Sequence, residues 1–332
     1  MFLQANATSI FSIDDLKLIG PVLVLTLAAC VALVLEVILP KSKKRWTAYF
    51  SLASIGAAFV SLAILSANAG ASWKFWELES VAAATGFYGM VRIDGLALFF
   101  QIVFLLAAAL TILISIRYLD IEESQFGEFY ALILFATVGM MFLASAYDLI
   151  SLYISLELMA LSFYVLVAFT RRERRTNEAA MKYFLLGAFS SGILLYGFSL
   201  LYGLAGSTNL GEISTAVAGI VSGFPAAGAA PNPASSLRPL LLLSIVTMAA
   251  GLFFKVSVVP FHMWTPDAYE GAPTPVTAFL STASKAAGFV ILVRIFLVGV
   301  IDLRADWAPI LGLAAAITIS VGNLGAITQT NA

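Results

Sequence analysis

Long apolar runs recur along the chain, separated by shorter polar stretches. A helix needs about 20 apolar residues to cross the hydrocarbon layer of a bilayer. Nine runs come close to or exceed that length: 18–39, 46–67, 95–116, 129–146, 149–169, 183–205, 240–259, 276–300 and 308–327. The pattern predicts an all-α polytopic membrane protein with about nine transmembrane helices and no separate soluble domain. One joint breaks the rhythm. Between the seventh and eighth runs the chain carries Pro260, Pro266, Pro273 and Pro275 and its only histidine, His262. Proline lacks a backbone donor and clashes with the carbonyl four residues back, here that of Val256, so the seventh helix is expected to break beside Lys255. Backbone can break at membrane depth only where it is buried in protein or lines a cavity.

Composition agrees with this reading. Hydrophobic residues make up 61% of the 332 and charged residues 11%, against about 25% charged in a soluble chain. A net charge of −1 gives no reason to expect a nucleic-acid partner. One cysteine and one histidine rule out an internal disulfide and leave too few ligands for a haem, iron–sulfur or zinc site; Cys30 reads as a small buried hydrophobe. No glycine-rich nucleotide motif is present. The N-terminus lacks a basic region and a small-residue cleavage site, so the first run reads as a retained helix. Basic residues concentrate at 41–45 and 171–175, which places both loops in the cytoplasm and the N-terminus outside. The acidic connection 117–128 falls on the same side as these loops. Trp73 and Trp76 suit an interfacial belt, and 206–239, rich in Gly, Ala, Ser and Pro, reads as an irregular loop.

Few ionisable groups remain at depth. Glu157 lies nine residues after Asp148 and twelve before Phe169, near the middle of its helix, with Ser155 and Ser162 close by. Lys255 follows fifteen uncharged residues, and Lys285 sits ten residues into the eighth run with Ser281, Thr282 and Ser284 alongside and Gly288 permitting close helix approach. An ammonium at the centre of a membrane helix costs roughly 2.5–3.5 kcal/mol on insertion scales, so both lysines are expected to face a wet or protein-lined interior. Glu157 reads as a proton-exchanging acid paired with Lys255 or Lys182, and Lys285 as the next acceptor. His262, between the two lysines, is a candidate relay because imidazole both donates and accepts near neutrality. Glu178 and Lys182 have the favourable i,i+4 order on a helix. Glu36 is expected to reach the interface by snorkelling, and Arg294 reads as structural, with an interface in reach.

YISLELMALSFYVLVAF around Glu157, NEAAMKYF around Glu178 and Lys182, and FKVSVVPFHMWTPDAYEGAPTPV followed by TASKAAGF resemble the antiporter-like membrane subunits of respiratory complex I, most closely the N branch. The resemblance covers almost the whole chain. It implies a proton half-channel carried by Glu157, Lys255 and Lys285, with Glu178–Lys182 as a further polar pair. It also implies three N-terminal helices over 1–128, an antiporter-like five-helix repeat with a broken seventh helix over 129–300, and the start of a second repeat over 301–332. The family runs on beyond the point where this sequence stops, so a fragment or a truncated subunit is expected. The implied function is proton movement coupled to NADH oxidation and quinone reduction in other subunits, in the bacterial inner membrane. Flavin, iron–sulfur clusters and the quinone site are expected in those partners, and no cofactor in this chain. The implied partners are the sister subunit M and the small subunits K and J. A stand-alone cation/proton antiporter and a structural membrane subunit are the alternatives.

Overall fold

The structure, a computed structural model, describes residues 12–40, 44–68, 84–121, 127–170, 174–223 and 237–327. It is a helical bundle with one short hairpin. The elements in order are α1 (Ile13–Leu18), α2 (Gly20–Ile38), α3 (Arg45–Asn68), β1 (Ala84–Gly86), β2 (Val91–Ile93), α4 (Gly95–Ile121), α5 (Glu128–Ser145), α6 (Leu149–Val167), α7 (Arg174–Ala205), α8 (Leu210–Ser222), α9 (Arg238–Val256), α10 (Trp264–Gly271), α11 (Thr274–Val293) and α12 (Arg304–Ile327). Among the described residues nine helices are long and apolar enough to cross a membrane, and they correspond one to one with the nine apolar runs. Their outward faces carry exposed Leu, Ile, Val and Phe, as a lipid-facing surface does. The protein is a multi-pass membrane protein.

Helix α5 is the most enclosed of the nine and packs against α2, α4, α6 and α11. On one side α2, α3 and α4 form a three-helix wall. On the other, α6, α7, α9 and α11 surround the break between α9 and α11. One end of the bundle is tied by backbone. Tyr147 donates its N–H to Met90 O of the hairpin (2.9 Å) and accepts from Leu210 N (3.1 Å). Asp148 caps α6 through Ile150 N (2.8 Å) and accepts from Thr208 Oγ1.

Four expectations change. Residues 206–239 do not form one irregular loop. Asn209 caps α8 through Gly211 N and Glu212 N, and Leu210, Ile213 and Val217 bury one face of it. The small residues of this segment hid an i, i+3, i+7 stripe. Arg294 does not reach an interface. It is 1% exposed and donates to both carboxylate oxygens of Asp94 (2.5 and 2.8 Å) and to Ala144 O (2.8 Å). Glu36 does not snorkel either: Lys44 pairs with it and Gly127 N donates to it at 2.6 Å. Cys30 is exposed, because it sits on the outward face of α2, beside the buried Ala28 and Ala29. Arg45, at the edge of the first basic loop, pairs with Asp120 of the acidic connection. Lys41 and Lys43 of that loop, Arg171 and Arg172, both tryptophans of 68–94 and the acids Glu122 and Glu123 lie outside the described residues.

The Arg294–Asp94 pair joins α11 to the start of α4, 200 residues apart in sequence. Removing one partner of a buried pair strands the other charge and costs about 3–5 kcal/mol, whereas replacing both by apolar groups is far milder. Asp94→Ala is therefore expected to lower the thermal midpoint of the detergent-purified chain sharply. Asp94→Leu with Arg294→Met should recover most of the loss in the same melt.

Candidate functional site

The seventh spanning helix, α9, ends at Val256. Ser257 caps it in the left-handed region (φ 60°, ψ 41°), and the chain turns through 258–263 before α10 begins. Most residues avoid that region, and glycine is usual at such a cap. Ser257 keeps a hydroxyl there, which is bonded to Thr265 Oγ1 at 2.6 Å and receives the Lys285 ammonium. A glycine would fit the backbone and lose both bonds. Of the carbonyls around the break, Phe254 O accepts from Trp264 Nε1 (3.0 Å) and Lys255 O accepts from Lys285 Nζ (3.1 Å). The break next to Lys255 is thus filled by the second lysine and by the indole that follows it.

Lys255 sits in the last turn of α9 and is 3% exposed. Its ammonium has no hydrogen-bond partner. A cation at a helix C-terminus gains about 0.3–1 kcal/mol, up to about 2 when partly buried, which offsets only part of the roughly 2.5–3.5 kcal/mol that its depth costs. Its surroundings are the ring of Tyr164, 5.9 Å from Nζ, and the Glu157 carboxylate, whose charge acts on it. Glu157 Oε1 and the Tyr164 hydroxyl are also buried without partners, as is Ser191 Oγ. Glu157 and Tyr164 are seven residues apart and share one face of α6. A Cβ on Gly187 would collide with the Tyr164 phenol, and Ser191 is one turn along α7 from Gly187. Four buried polar atoms without hydrogen-bond partners therefore lie on the adjoining helices α6, α7 and α9, with Lys255 over the Tyr164 ring. Ser155 and Ser162 take no part, since their hydroxyls donate to Ser151 O and Leu158 O.

Lys285 reaches the break from α11, at a point where Gly288 lets α11 approach closely: a Cβ there would lie 2.6 Å from Val256 Cγ1. Its hydroxyl partner is Ser257, while Ser281 and Thr282 bond Ala278 O. Its ammonium stands 4.3 Å from the centroid of the Trp264 ring. That ring also stacks on Tyr183 (4.5 Å) and Phe254 (5.2 Å), and Tyr183 packs edge-on against Tyr164 (4.7 Å). An aromatic column thus runs between the two lysines. Tyr164 and Trp264 were the site residues that sequence reasoning passed over. Tyr164 was findable as the i+7 neighbour of Glu157, and Trp264 from its place in VPFHMW.

The other candidates lie apart. His262 is in the turn, half-buried, with Nδ1 unpartnered, and no hydrogen bond or ring contact joins it to either lysine. Lys182 is not the partner of Glu157. It pairs with Glu178 (3.0 Å) and with Asp267 of α10 (2.9 Å), at a half-exposed seam. There Arg175 meets Glu270 at 2.6 Å and Thr176 Oγ1 donates to Gly271 O at 2.8 Å. That seam fastens α10 to the start of α7.

The family described as NADH:quinone oxidoreductase/Mrp antiporter, transmembrane, matches residues 146–332. The chain belongs to that family. Its oxidoreductase/antiporter fold recurs in solved structures. The chain covers 94% of itself and 59% of a chain from Thermus thermophilus respiratory complex I with bound aureothin, at TM-score 0.70 and 31% identity. A chain of the Mrp complex from a Dietzia species has TM-score 0.71 over 95% of this protein and 55% of that chain; at 21% identity it supports the fold alone. Among curated relatives, a NADH-quinone oxidoreductase subunit N of Koribacter versatilis is 48% identical over 99% of this chain. Another, of Trichlorobacter lovleyi, is 41% identical over 99%. The chain spans 61% and 62% of those two proteins.

The two lysine environments predict opposite sensitivities. Lys255→Met removes an ammonium that has no partner to lose, so stability should hold or rise, by up to about 2 kcal/mol, read as an unchanged or higher thermal midpoint. Glu178→Gln touches an exposed pair and should cost under about 1 kcal/mol. A marked loss of stability in Lys255→Met would reveal a partner that the geometry does not contain.

Proposed function

We propose that this chain is the N-type proton-conducting membrane subunit of a bacterial NADH-quinone oxidoreductase, seated in the inner membrane. The supporting observation is the buried Lys255 ammonium beside the helix break, without a hydrogen-bond partner and over the Tyr164 ring, with further unbonded polar atoms of Glu157, Tyr164 and Ser191 on the adjoining helices. Buried polar groups in folded proteins are almost always bonded, so four without partners on adjoining helices mark a place kept ready for exchange rather than for stability. Glu157 is the acid, Lys255 the central acceptor, and Lys285 the next site, joined to Lys255 through its carbonyl. The seam of Glu178, Lys182 and Asp267 lies at the same end as the basic loop before α7, and serves as the cytoplasmic approach. His262 lies beside the break as an auxiliary exchanger.

In this reading NADH oxidation and quinone reduction take place in partner subunits, which hold the flavin, the iron–sulfur clusters and the quinone. This chain contributes the conduit, packed beside a sister subunit M and the small subunits K and J. The subunit N relatives favour this reading over a stand-alone cation/proton antiporter. The decisive measurement is the number of protons moved per quinone reduced in membranes carrying Lys255→Ala or Glu157→Gln. Both variants should lower it tenfold or more while the assembled complex remains intact. Undiminished pumping in Lys255→Ala would refute the relay.

A further inference from the structure

Lys285 is a half-buried cation for which no carboxylate supplies a counter-charge. Its ammonium lies against the Lys255 carbonyl (3.1 Å), the Ser257 hydroxyl and the Trp264 ring (4.3 Å), and the second aromatic face near it, Tyr269, is 6.0 Å away. It makes no ion pair among the described residues, and the charge that acts on it most is the like charge of Lys255. The compensating attraction comes from these two hydrogen bonds and from the π face, and of the three only the π face needs the charge to act. A cation over an indole gains about 0.5–1 kcal/mol when exposed and about 2 or more when desolvated, and tryptophan is the best ring for it. Trp264 is built to stay in place: 2% exposed, fixed by its N–H to Phe254 O and stacked on Tyr183 and Phe254.

We propose that Trp264 is a positioning residue whose indole face stands in for a counter-ion. It holds charged Lys285 in the break, so that the proton on Lys285 clamps α11 to the end of α9. The clamp is specific to the charged form. A neutral amine keeps a hydrogen bond to Ser257 but loses the attraction of the ring quadrupole. The two ammonium groups then share one device: while Lys285 is charged and clamped, it repels the proton on Lys255, and when it discharges, the hold of the Trp264 face on α11 is released while the bond to Ser257 remains. The groups facing Lys285 are Lys255 from α9 and Tyr269 and Trp264 from α10. The aromatic ring sets how long the charge stays. This deepens the relay reading above and takes from it the assumption that Lys285 exchanges protons.

The test is a fluorinated-tryptophan series at position 264, introduced in the full chain within its native membrane assembly. Fluorine weakens the π face stepwise while preserving ring shape and the bond to Phe254. Two quantities are read: the rate of reductive methylation of Lys285 by mass spectrometry, with surface Lys17 as reference, and the number of protons moved per turnover. Methylation at Lys285 should rise in step with fluorine number, by about tenfold across the series, equivalent to roughly 1.4 kcal/mol. Proton movement should fall in the same order, and Trp264→Tyr should lie between tryptophan and Trp264→Leu. Flat methylation across the fluorinated series would overturn the clamp, whatever Lys255→Ala does. Graded methylation with undiminished pumping in Lys255→Ala would leave the clamp standing and remove only the relay that it is proposed to serve.

Discussion

An ammonium held at membrane depth with nothing to bond is the constraint around which the rest of the structure is arranged. Lys255 gains a little from the end of its own helix, and much less than its depth takes away. The shortfall is carried by what surrounds it. The helix stops one residue later, the aromatic rings of Tyr164, Tyr183 and Trp264 close around the end, and α7 brings a glycine against Tyr164. Large faces packed elsewhere make this local debit tolerable. The centre of the bundle, α5, is almost wholly enclosed, and that burial does not depend on the lysine.

The protein treats its buried charges in two ways. Arg294 is given both oxygens of Asp94 and a carbonyl besides, and Glu36 is given Lys44 and a backbone N–H. Those groups are held in place by direct contacts, with only Nε of Arg294 left unbonded. Glu157 Oε1 and Lys255 Nζ carry no hydrogen bond, an arrangement in which a change of protonation at either atom breaks no existing bond. The contrast between satisfied and unsatisfied groups, within one membrane thickness, separates architecture from chemistry more clearly than depth alone.

Much of this could be read along the chain, because a bilayer forces hydrophobic length and helical structure to coincide. All nine spanning helices and the break after Val256 follow from apolar run length and Pro260. What escaped was decided by contacts distant in sequence. Asp94 looked like a loop acid until Arg294, 200 residues on, was brought against it. Lys182 has Glu178 at the right spacing, and only the fold adds Asp267. Helix α8 was concealed by glycine and alanine, whose low hydrophobicity masked a regular stripe. Trp264 could be named as a residue of the broken segment, but its orientation toward Lys285 rests on stacking with a tyrosine from another helix.

One modest hydrogen bond has a wider reach than its length suggests. Thr318, midway along α12, accepts from Val259 N at 3.1 Å, inside the turn that replaces the last stretch of the broken helix. Through this bond α12 braces the hinge, alongside the Thr265 and Lys285 contacts to Ser257. The packing of α12 is thus linked to the turn beside Lys255 by a single backbone N–H, without passing through α9 or α11.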